Sequence, residues 1–336
     1  MLVSAVPGAD DGGVSDNSRG SGIIAVMSHI VAVDIGGTHI RVAVYEPDSV
    51  KPIAHKRTRS LAHEPGVYNR LEKAIESVWP QGKVRAIGIA SPGPLDPHTG
   101  TILDTPNIPE WVNFPLAPRL SQHFNVPAYL DNDANMAGLA EWQFGAGRGH
   151  ENIVYLTIST GIGGGVISQG CLIQGFRGMG AELGHMIIDP EGPICGCGHR
   201  GHIESFSSGP SIARYVAEQI AAGQPSSLQS QTNIGAVQIA EAARAGDALA
   251  ISAFERAGYY LGIAVANYLA VFDPSILIFG GGVSQVGELL FKPLEKSLQK
   301  HTFHPHYLDN LVITKAALGD NAGLLGALVL ARMKTV

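Results

Sequence analysis

The sequence predicts an α/β protein built from two related domains. The first observation is a buried-strand pattern at Ile30–Ile35, a short run rich in apolar and β-branched residues. The glycines of Gly36-Gly37-Thr38 then predict a tight turn, and His39–Tyr45 predicts a return strand. The second observation is that this pattern returns about 120 residues later, which indicates that the chain repeats one structural plan.

The repeat begins with a predicted strand at Ile153–Ser159. We expect the glycines of Gly161-Ile162-Gly163-Gly164-Gly165 to form the turn and Val166–Ser168 to form the return strand. Helical patterns alternate with the strands, which is typical of the α/β class. The other predicted elements are helices at Val67–Val78, Ala134–Phe144, Pro210 to about Gly223, Ala248–Val271 and Asn321–Met333, and a strand at Ser275–Phe279.

We predict a smaller α/β domain from residues 30–134 together with 317–336, and a larger one from residues 135–316 that includes a metal loop. Residues 1–29 precede the first strand, and the Gly-, Ser- and Asp-rich composition of their beginning predicts a disordered tail. Met27 lies just before the first strand and is an alternative start of translation. An intact mass beginning at Met1 would exclude that alternative.

Composition excludes several classes of function. The 336 residues include 23 Lys and Arg against 29 Asp and Glu, a net charge of −6, with no basic tail or stripe suited to nucleic acid. No run of about 18 apolar residues predicts a membrane span, and the apolar stretch before the first strand lacks the features of a signal peptide. The three cysteines, Cys171, Cys195 and Cys197, are a poor disulfide framework, so we expect a reducing, cytoplasmic location.

Three glycine-rich loops are candidates for binding a nucleotide. In the first, adjacent Gly36 and Gly37 let backbone N–H groups approach a phosphate, Thr38 adds a hydroxyl, and Asp34 can hold Mg²⁺ through water. The other two loops are Ser159–Gly165, with Thr160 and Gly161 at its start, and Gly280-Gly281-Gly282. Each loop alone is also explained by a plain turn. Two such loops facing each other could hold a polyphosphate chain between the domains.

A carboxylate suited to catalysis lies in Asp131-Asn132-Asp133-Ala134-Asn135, which opens a predicted helix. Phosphoryl transfer needs an acceptor hydroxyl held in line and a carboxylate that accepts its proton. Asp133 at a helix N-terminus would stay ionised and fixed, which suits that role. The alternative is a plain helix cap, which is the commonest use of Asp at such a position.

Two cysteines and two histidines predict a structural zinc site. Cys195 and Cys197 are one residue apart, with His185 upstream and His202 downstream. These four side chains can coordinate Zn²⁺ tetrahedrally and leave no position for water, as in structural sites. The alternative is a pair of thiols beside unrelated histidines.

Together these motifs resemble the ROK family (repressors, open reading frames and kinases), most closely its bacterial glucokinases. The matching segments include VAVDIGGTHIRVAV, GIASPGPLD, TPNIPEW, LDNDANMAGLAEW, TISTGIGGGVI, GAELGHMIID, CGCGHRGHIES, FGGGVS and GDNAGLLGA. The resemblance implies an actin-like ATPase (ribonuclease H-like) fold, with a sugar and ATP meeting in the cleft between the domains. It also implies phosphorylation of a hexose, foremost glucose to glucose 6-phosphate, and a homodimer.

The resemblance assigns roles to positions of this sequence. It implies that Asp133 is the catalytic base. The implied hexose-binding residues are Ser91, Gly93, Asn107, Asn132, Asp133, Glu182, His185 and Glu204. The implied residues for ATP and its Mg²⁺ are Asp34, Gly36, Gly37, Thr38, Thr160, Gly161, Gly281 and Gly282.

Two positions depart from the family pattern. His202 stands where a third Cys is usual, so His199 is a competing zinc ligand. His39 stands where Lys commonly follows Thr38, and because it has no permanent charge at neutral pH we assign it no phosphate role. We expect Arg41, two residues on, to face the same side of the strand as His39.

Other functions remain open. A kinase for fructose, mannose or N-acetylmannosamine would have the same motifs, and polyphosphate could replace ATP as the donor. A sugar-sensing repressor of the same family is disfavoured, because the 29 residues before the first strand show no helix-turn-helix pattern and the DIGGT loop and Asp133 are intact.

Overall fold

The structure, a computed structural model, describes residues 28–105 and 108–335. Most of the predicted tail, including Met27, therefore lies outside the described residues, as does Asn107. His29, placed in the tail by the prediction, begins the first strand. Within the described ranges, no helix is both long and apolar enough to cross a bilayer.

Two five-stranded mixed sheets share one topology. The strands are β1 (His29–Ile35), β2 (His39–Tyr45), β3 (Pro52–Arg59), β4 (Val84–Ser91), β5 (Leu95–Asp96), β6 (Thr101–Ile102), β7 (Ala128–Asn132), β8 (Ile153–Ile158), β9 (Ile162–Ser168), β10 (Cys171–Leu172), β11 (Ile276–Gly280) and β12 (Val312–Lys315). The first sheet has the order β3-β2-β1-β4-β7 and the second β10-β9-β8-β11-β12. In each sheet the first strand along the chain, β1 or β8, pairs antiparallel with the strand that follows it, β2 or β9. On its other side it pairs parallel with β4 or β11. The repeat predicted from the two strand–turn–strand patterns is thus confirmed.

Helices cover both faces of the sheets. They are α1 (Val67–Glu76), α2 (Leu116–Phe124), α3 (Asp133–Phe144), α4 (Glu204–Ser207), α5 (Gly209–Ala221), α6 (Ala236–Arg244), α7 (Ala248–Phe272), α8 (Glu288–His301) and α9 (Ala322–Met333). The predicted helices are confirmed, with ends that shift by one or two residues. Because helices cover both faces, β1, β4 and β8 are apolar and buried almost throughout.

One hydrophobic core joins the two sheets. α3 packs on α9, β8 and β9, and α9 packs on β1 and β4. Buried residues of both sheets meet in this layer, among them Ala32 of β1 and Tyr155 of β8. The domain boundary that we predict at residue 134 falls at the start of α3, and this division stays a prediction.

The prediction of a turn over Gly161–Gly165 is wrong in extent. The turn closes earlier, where the Ser159 N–H donates to the carbonyl of Gly161 at 2.8 Å, and β9 already begins at Ile162. Gly165 lies inside the strand, and α3 approaches it so closely that a Cβ there would lie 2.8 Å from the carbonyl oxygen of Ala134. These strand glycines serve close helix–sheet packing.

Candidate functional site

The candidate site lies where strands end and loops begin. Ser91 at the end of β4 pairs with Asn132 at the end of β7. A Cβ at Gly93 would lie 3.2 Å from Nδ2 of Asn132, so these three predicted sugar-binding residues are neighbours. Because β1 lies parallel to β4 in the same sheet, the glycine loop after β1 opens at the same edge.

The loop Gly36-Gly37-Thr38 is held in place at this edge. The Gly36 N–H donates to the carbonyl of His39 at 2.9 Å, and the Ser60 hydroxyl donates to the carbonyl of Gly37 at 2.6 Å. The loop lines a cavity of about 370 Å³ together with Asp133. An anion bound at this loop would therefore lie beside the predicted catalytic carboxylate.

Asp34 forms an ion pair with Arg41, whose guanidinium also donates to the backbone carbonyl of Asp320. Burial raises the pKa of Asp34, and the charge of Arg41 opposes that rise. Arg41 and His39 line the same cavity, which confirms the prediction that they face one side of β2.

Asn132, and not Asp133, caps α3. Its Oδ1 accepts hydrogen bonds from two backbone N–H groups of the first turn, at 2.9 and 3.4 Å. The Asp133 side chain is exposed at the cleft, while the protein around the cleft removes much of the water from its carboxyl group. This burial is the largest cause that raises the pKa of Asp133 to about 6, and the negative charges of Asp34 and Glu182 add to it. The plain-cap alternative does not describe Asp133, and its pKa suits a group that accepts a proton near neutral pH.

Asp131 is fully buried behind the site. It accepts hydrogen bonds from Nδ2 of Asn135 at 3.0 Å, from the Asn132 N–H at 2.7 Å and from the side chain of Gln174. Burial raises the pKa of Asp131, and these hydrogen bonds oppose the rise. Gln174 follows β10 and so ties the second sheet to the end of β7. Sequence reasoning missed it, because no local pattern indicates a partner 43 positions earlier.

Glu182, His185 and Glu204, the predicted sugar-binding trio, are brought together. Glu182 precedes the short turn Leu183–His185. Burial raises the pKa of Glu182, the nearby His185 opposes that rise, and the Glu204 charge adds a smaller increase. Glu182 also raises the pKa of Asp133, which places the trio within electrostatic reach of that carboxylate.

Glu204, at the start of α4, connects the second glycine loop, residues 159–165, to the cysteine segment, residues 195–197. Its Oε2 accepts a hydrogen bond from the Ile162 N–H at 2.9 Å, and its Oε1 lies 3.2 Å from Sγ of Cys195. A Cβ at Gly161 would lie 2.6 Å from the same carboxylate. A shift of the cysteine segment would therefore reach the loop predicted to bind phosphate.

A cavity of about 980 Å³ near the site is lined in part by Thr160 and Gly282. Most residues that line this cavity were not predicted from the sequence, because small side chains on helices form no recognisable motif. They include Pro210, Ala213, Arg214, Ala217, Val283, Val286 and residues 233–238. Gly281 and Gly282 also line a cavity of about 450 Å³ that contains Asp34 and Asp133. The cavities thus form a path from α5 to the first glycine loop.

Only glycine fits at position 281. Its φ is +82°, and a Cβ there would lie 2.3 Å from the carbonyl oxygen of Ile158. Gly281 therefore lets β11 turn sharply where the cavities meet.

The predicted metal ligands form one cluster. The Nδ1 atom of His185 lies 3.2 Å from Nδ1 of His202 and 3.9 Å from Sγ of Cys195, and Sγ of Cys197 lies 3.2 Å from Nδ1 of His202. Zinc bonds of about 2.0–2.3 Å give tetrahedral edges of about 3.3–3.8 Å, and each of these three separations lies within about 0.1 Å of that range. All four ligand atoms lie within 4.8 Å of one another. Among the described residues this set includes His202 and not His199. The His199 ring stacks on that of His202, and its Nδ1 lies 3.8 Å from Sγ of Cys197.

Comparisons with known proteins identify the family of the chain and several of its relatives. The profile of the ROK family matches residues 30–334. The glucokinase of Thermotoga maritima is 38% identical over 89% of this chain and 95% of its own length. The structure of a ROK family glucokinase from Streptomyces griseus in complex with glucose and AMPPNP is 34% identical, with a TM-score of 0.75 over 91% of this chain and all of that one. A xylose repressor of Caldicellulosiruptor bescii is 28% identical over 90% of this chain and 78% of its own length.

Proposed function

The chain belongs to the ROK family, and on that premise we propose that it transfers the terminal phosphoryl group of ATP to a hexose, with glucose as the first candidate. One observation above all supports this proposal: Asp133 and the loop Gly36-Gly37-Thr38 line the same cavity. A phosphoryl group and a proton acceptor are both needed at one place for this reaction. The names of the glucokinase relatives favour glucose over other hexoses.

The chemistry follows from the position of Asp133. The carboxylate takes the proton of a sugar hydroxyl as the hydroxyl oxygen forms a bond to the terminal phosphorus, and the bond from that phosphorus to ADP breaks. Mg²⁺ supplies neutralising charge on the phosphates when it is bound, and Asp34 is its candidate partner through water. Gly36, Gly37, Thr38, Thr160 and Gly161 are the proposed phosphate contacts.

The neighbouring cavities suit the two substrates. The cavity of about 980 Å³ has mainly small apolar walls and would take the flat nucleoside, with Gly281 and Gly282 between it and Asp133. The hexose would lie among Ser91, Gly93, Asn132, Glu182, His185 and Glu204. Asn107 belongs to the same proposal by resemblance. A cytoplasmic location and a homodimer complete it.

The proposal includes a structural zinc ion held by His185, Cys195, Cys197 and His202. Nδ1 of His185 faces this cluster, which leaves Nε2 free for a sugar hydroxyl. Zinc would fix the imidazole through one nitrogen and so orient the other. Elemental analysis of purified protein should find about one zinc per chain. Metal-free protein with full activity would remove zinc from the proposal.

A phosphorylation assay over a hexose panel tests the function. Glucose, fructose, mannose and N-acetylmannosamine are each offered with ATP and, separately, with polyphosphate. We expect glucose with ATP to give the highest kcat/KM, and Asp133→Asn to lower kcat by about 10²–10⁴-fold. Sugar binding without phosphoryl transfer to any acceptor would favour a regulatory role like that of the repressor relative.

A further inference from the structure

A cluster of basic side chains faces the first glycine loop from β2 and β3. In the antiparallel pairing of these strands His39 lies opposite Arg59, and Arg41 lies opposite Arg57. Directly paired residues share a face, and so do residues two apart, so all four side chains lie on one face of the hairpin. Of the four, His39, Arg41 and Arg57 line the cavity beside Asp133, while Arg59 does not.

His39 is held as a neutral partner of Arg57. Nη2 of Arg57 lies 3.3 Å from Nδ1 of His39. A guanidinium can only donate, so Nδ1 accepts and the ring proton sits on Nε2. Burial lowers the pKa of His39, and the charges of Arg57, Arg59 and Arg41 lower it further. The ring therefore orients Arg57 without adding a charge of its own.

The charges of this cavity single out Arg57. Three carboxylates, those of Asp34, Asp133 and Asp320, line the cavity with only two guanidinium groups. Arg41 is already committed to Asp34 and to a backbone carbonyl. Arg57 forms no ion pair with a carboxylate anywhere in residues 28–105 and 108–335. It is the cation at this cavity that remains available to an incoming anion.

We propose that Arg57, oriented by His39, contacts the terminal phosphates of ATP and supplies the permanent positive charge that residue 39 lacks. The side chain comes from β3, outside the glycine loop, and reaches the cavity by strand pairing. This role rests on the proposed function, since it names the phosphate end of the ATP site. It also separates that end from the nucleoside cavity, which Arg57 does not line.

Nucleotide binding tests the proposal without turnover. Arg57→Gln is titrated calorimetrically with AMPPNP and with AMP in the presence of Mg²⁺, beside the matched control Arg59→Gln on the same face of β3. We expect Arg57→Gln to weaken AMPPNP binding by about 10- to 100-fold, the usual weight of a charge-assisted contact. AMP lacks the two outer phosphates, so its affinity should stay within about twofold and would show that the fold is intact. Equal AMPPNP affinity in the two variants would overturn the proposal.

A rescue experiment tests the charge argument. In the double variant His39→Lys with Arg57→Gln, the new ammonium stands at the same cavity, so AMPPNP affinity and kcat/KM for ATP should recover by at least about tenfold over Arg57→Gln. No recovery would mean that the Arg57 contribution is not its charge. If the wild-type protein phosphorylates no hexose, the proposed function fails, while the AMPPNP titration still decides the role of Arg57.

Discussion

The pH dependence of catalysis tests the environment of Asp133. With a pKa of about 6, only about one tenth of the carboxyl groups are ionised at pH 5, so kcat/KM should fall about tenfold from its plateau. An ordinary Asp, with a pKa of about 3.9, would still be about 90% ionised at that pH. The rate is measured as ADP formed from about pH 5 to 8, because coupling enzymes have their own pH dependence. An acidic limb with a pKa below about 5 would refute the environment described for Asp133.

Two variants assign that acidic limb. The terminal phosphate of a nucleotide itself titrates near pH 6, so the limb must be separated from the substrate. Asp133→Asn should leave a residual rate, about 10²–10⁴-fold lower, that lacks the limb. A limb that survives in this variant belongs to ATP and contradicts the assignment. Glu182→Gln should move the limb to lower pH, because the Glu182 charge raises the pKa of Asp133.

Three further predictions concern metal and stability. His202→Ala should lose the bound metal while His199→Ala keeps it, and elemental analysis with the opposite result would reverse the ligand choice. Gly184→Ala should lower the melting temperature and raise KM for the sugar, because its Cβ would lie 1.8 Å from the carbonyl oxygen of Ile162 and overpacking costs about 1–3 kcal/mol; an unchanged melt would contradict this. Asp247→Ala should cost about 1 kcal/mol of stability, since Asp247 caps α7. Although burial acts in the opposite direction, hydrogen bonds keep the pKa of Asp247 below its usual range, so this contribution is complete above about pH 4 and should disappear as acid protonates the group.

The repeated strand–turn–strand plan could be predicted because its information is local. A β-branched run followed by adjacent glycines specifies a buried strand and a tight turn whatever lies around it. β1, β2 and β8 appear where the pattern places them, within one residue at each end. The clustering of Asp133 with the first loop follows from the same logic, since parallel strands bring their ends to one edge.

The second glycine run shows where local information ends. Consecutive glycines indicate either a backbone that turns or a backbone approached closely by another element, and the sequence does not distinguish the two. At Gly163–Gly165 the neighbours decide, because α3 and the side chain of Leu183 occupy the space of any Cβ. The cap of α3 is a similar case: Asn132 and Asp133 are both good caps, and the backbone geometry assigned the role to Asn132.

The basic cluster at the first glycine loop depends on a register that the sequence pattern did not specify. β3 has mostly polar, exposed residues and no clear strand pattern, so Arg57 was not predicted near position 39. Hairpin pairing brings Arg57 to the cavity across 18 positions of the chain. A sequence motif records charged residues by their order along the chain, whereas binding of a phosphate depends on the positions of the charges in space. His39 in place of the usual Lys therefore need not weaken the site, because the missing charge can enter from the adjacent strand.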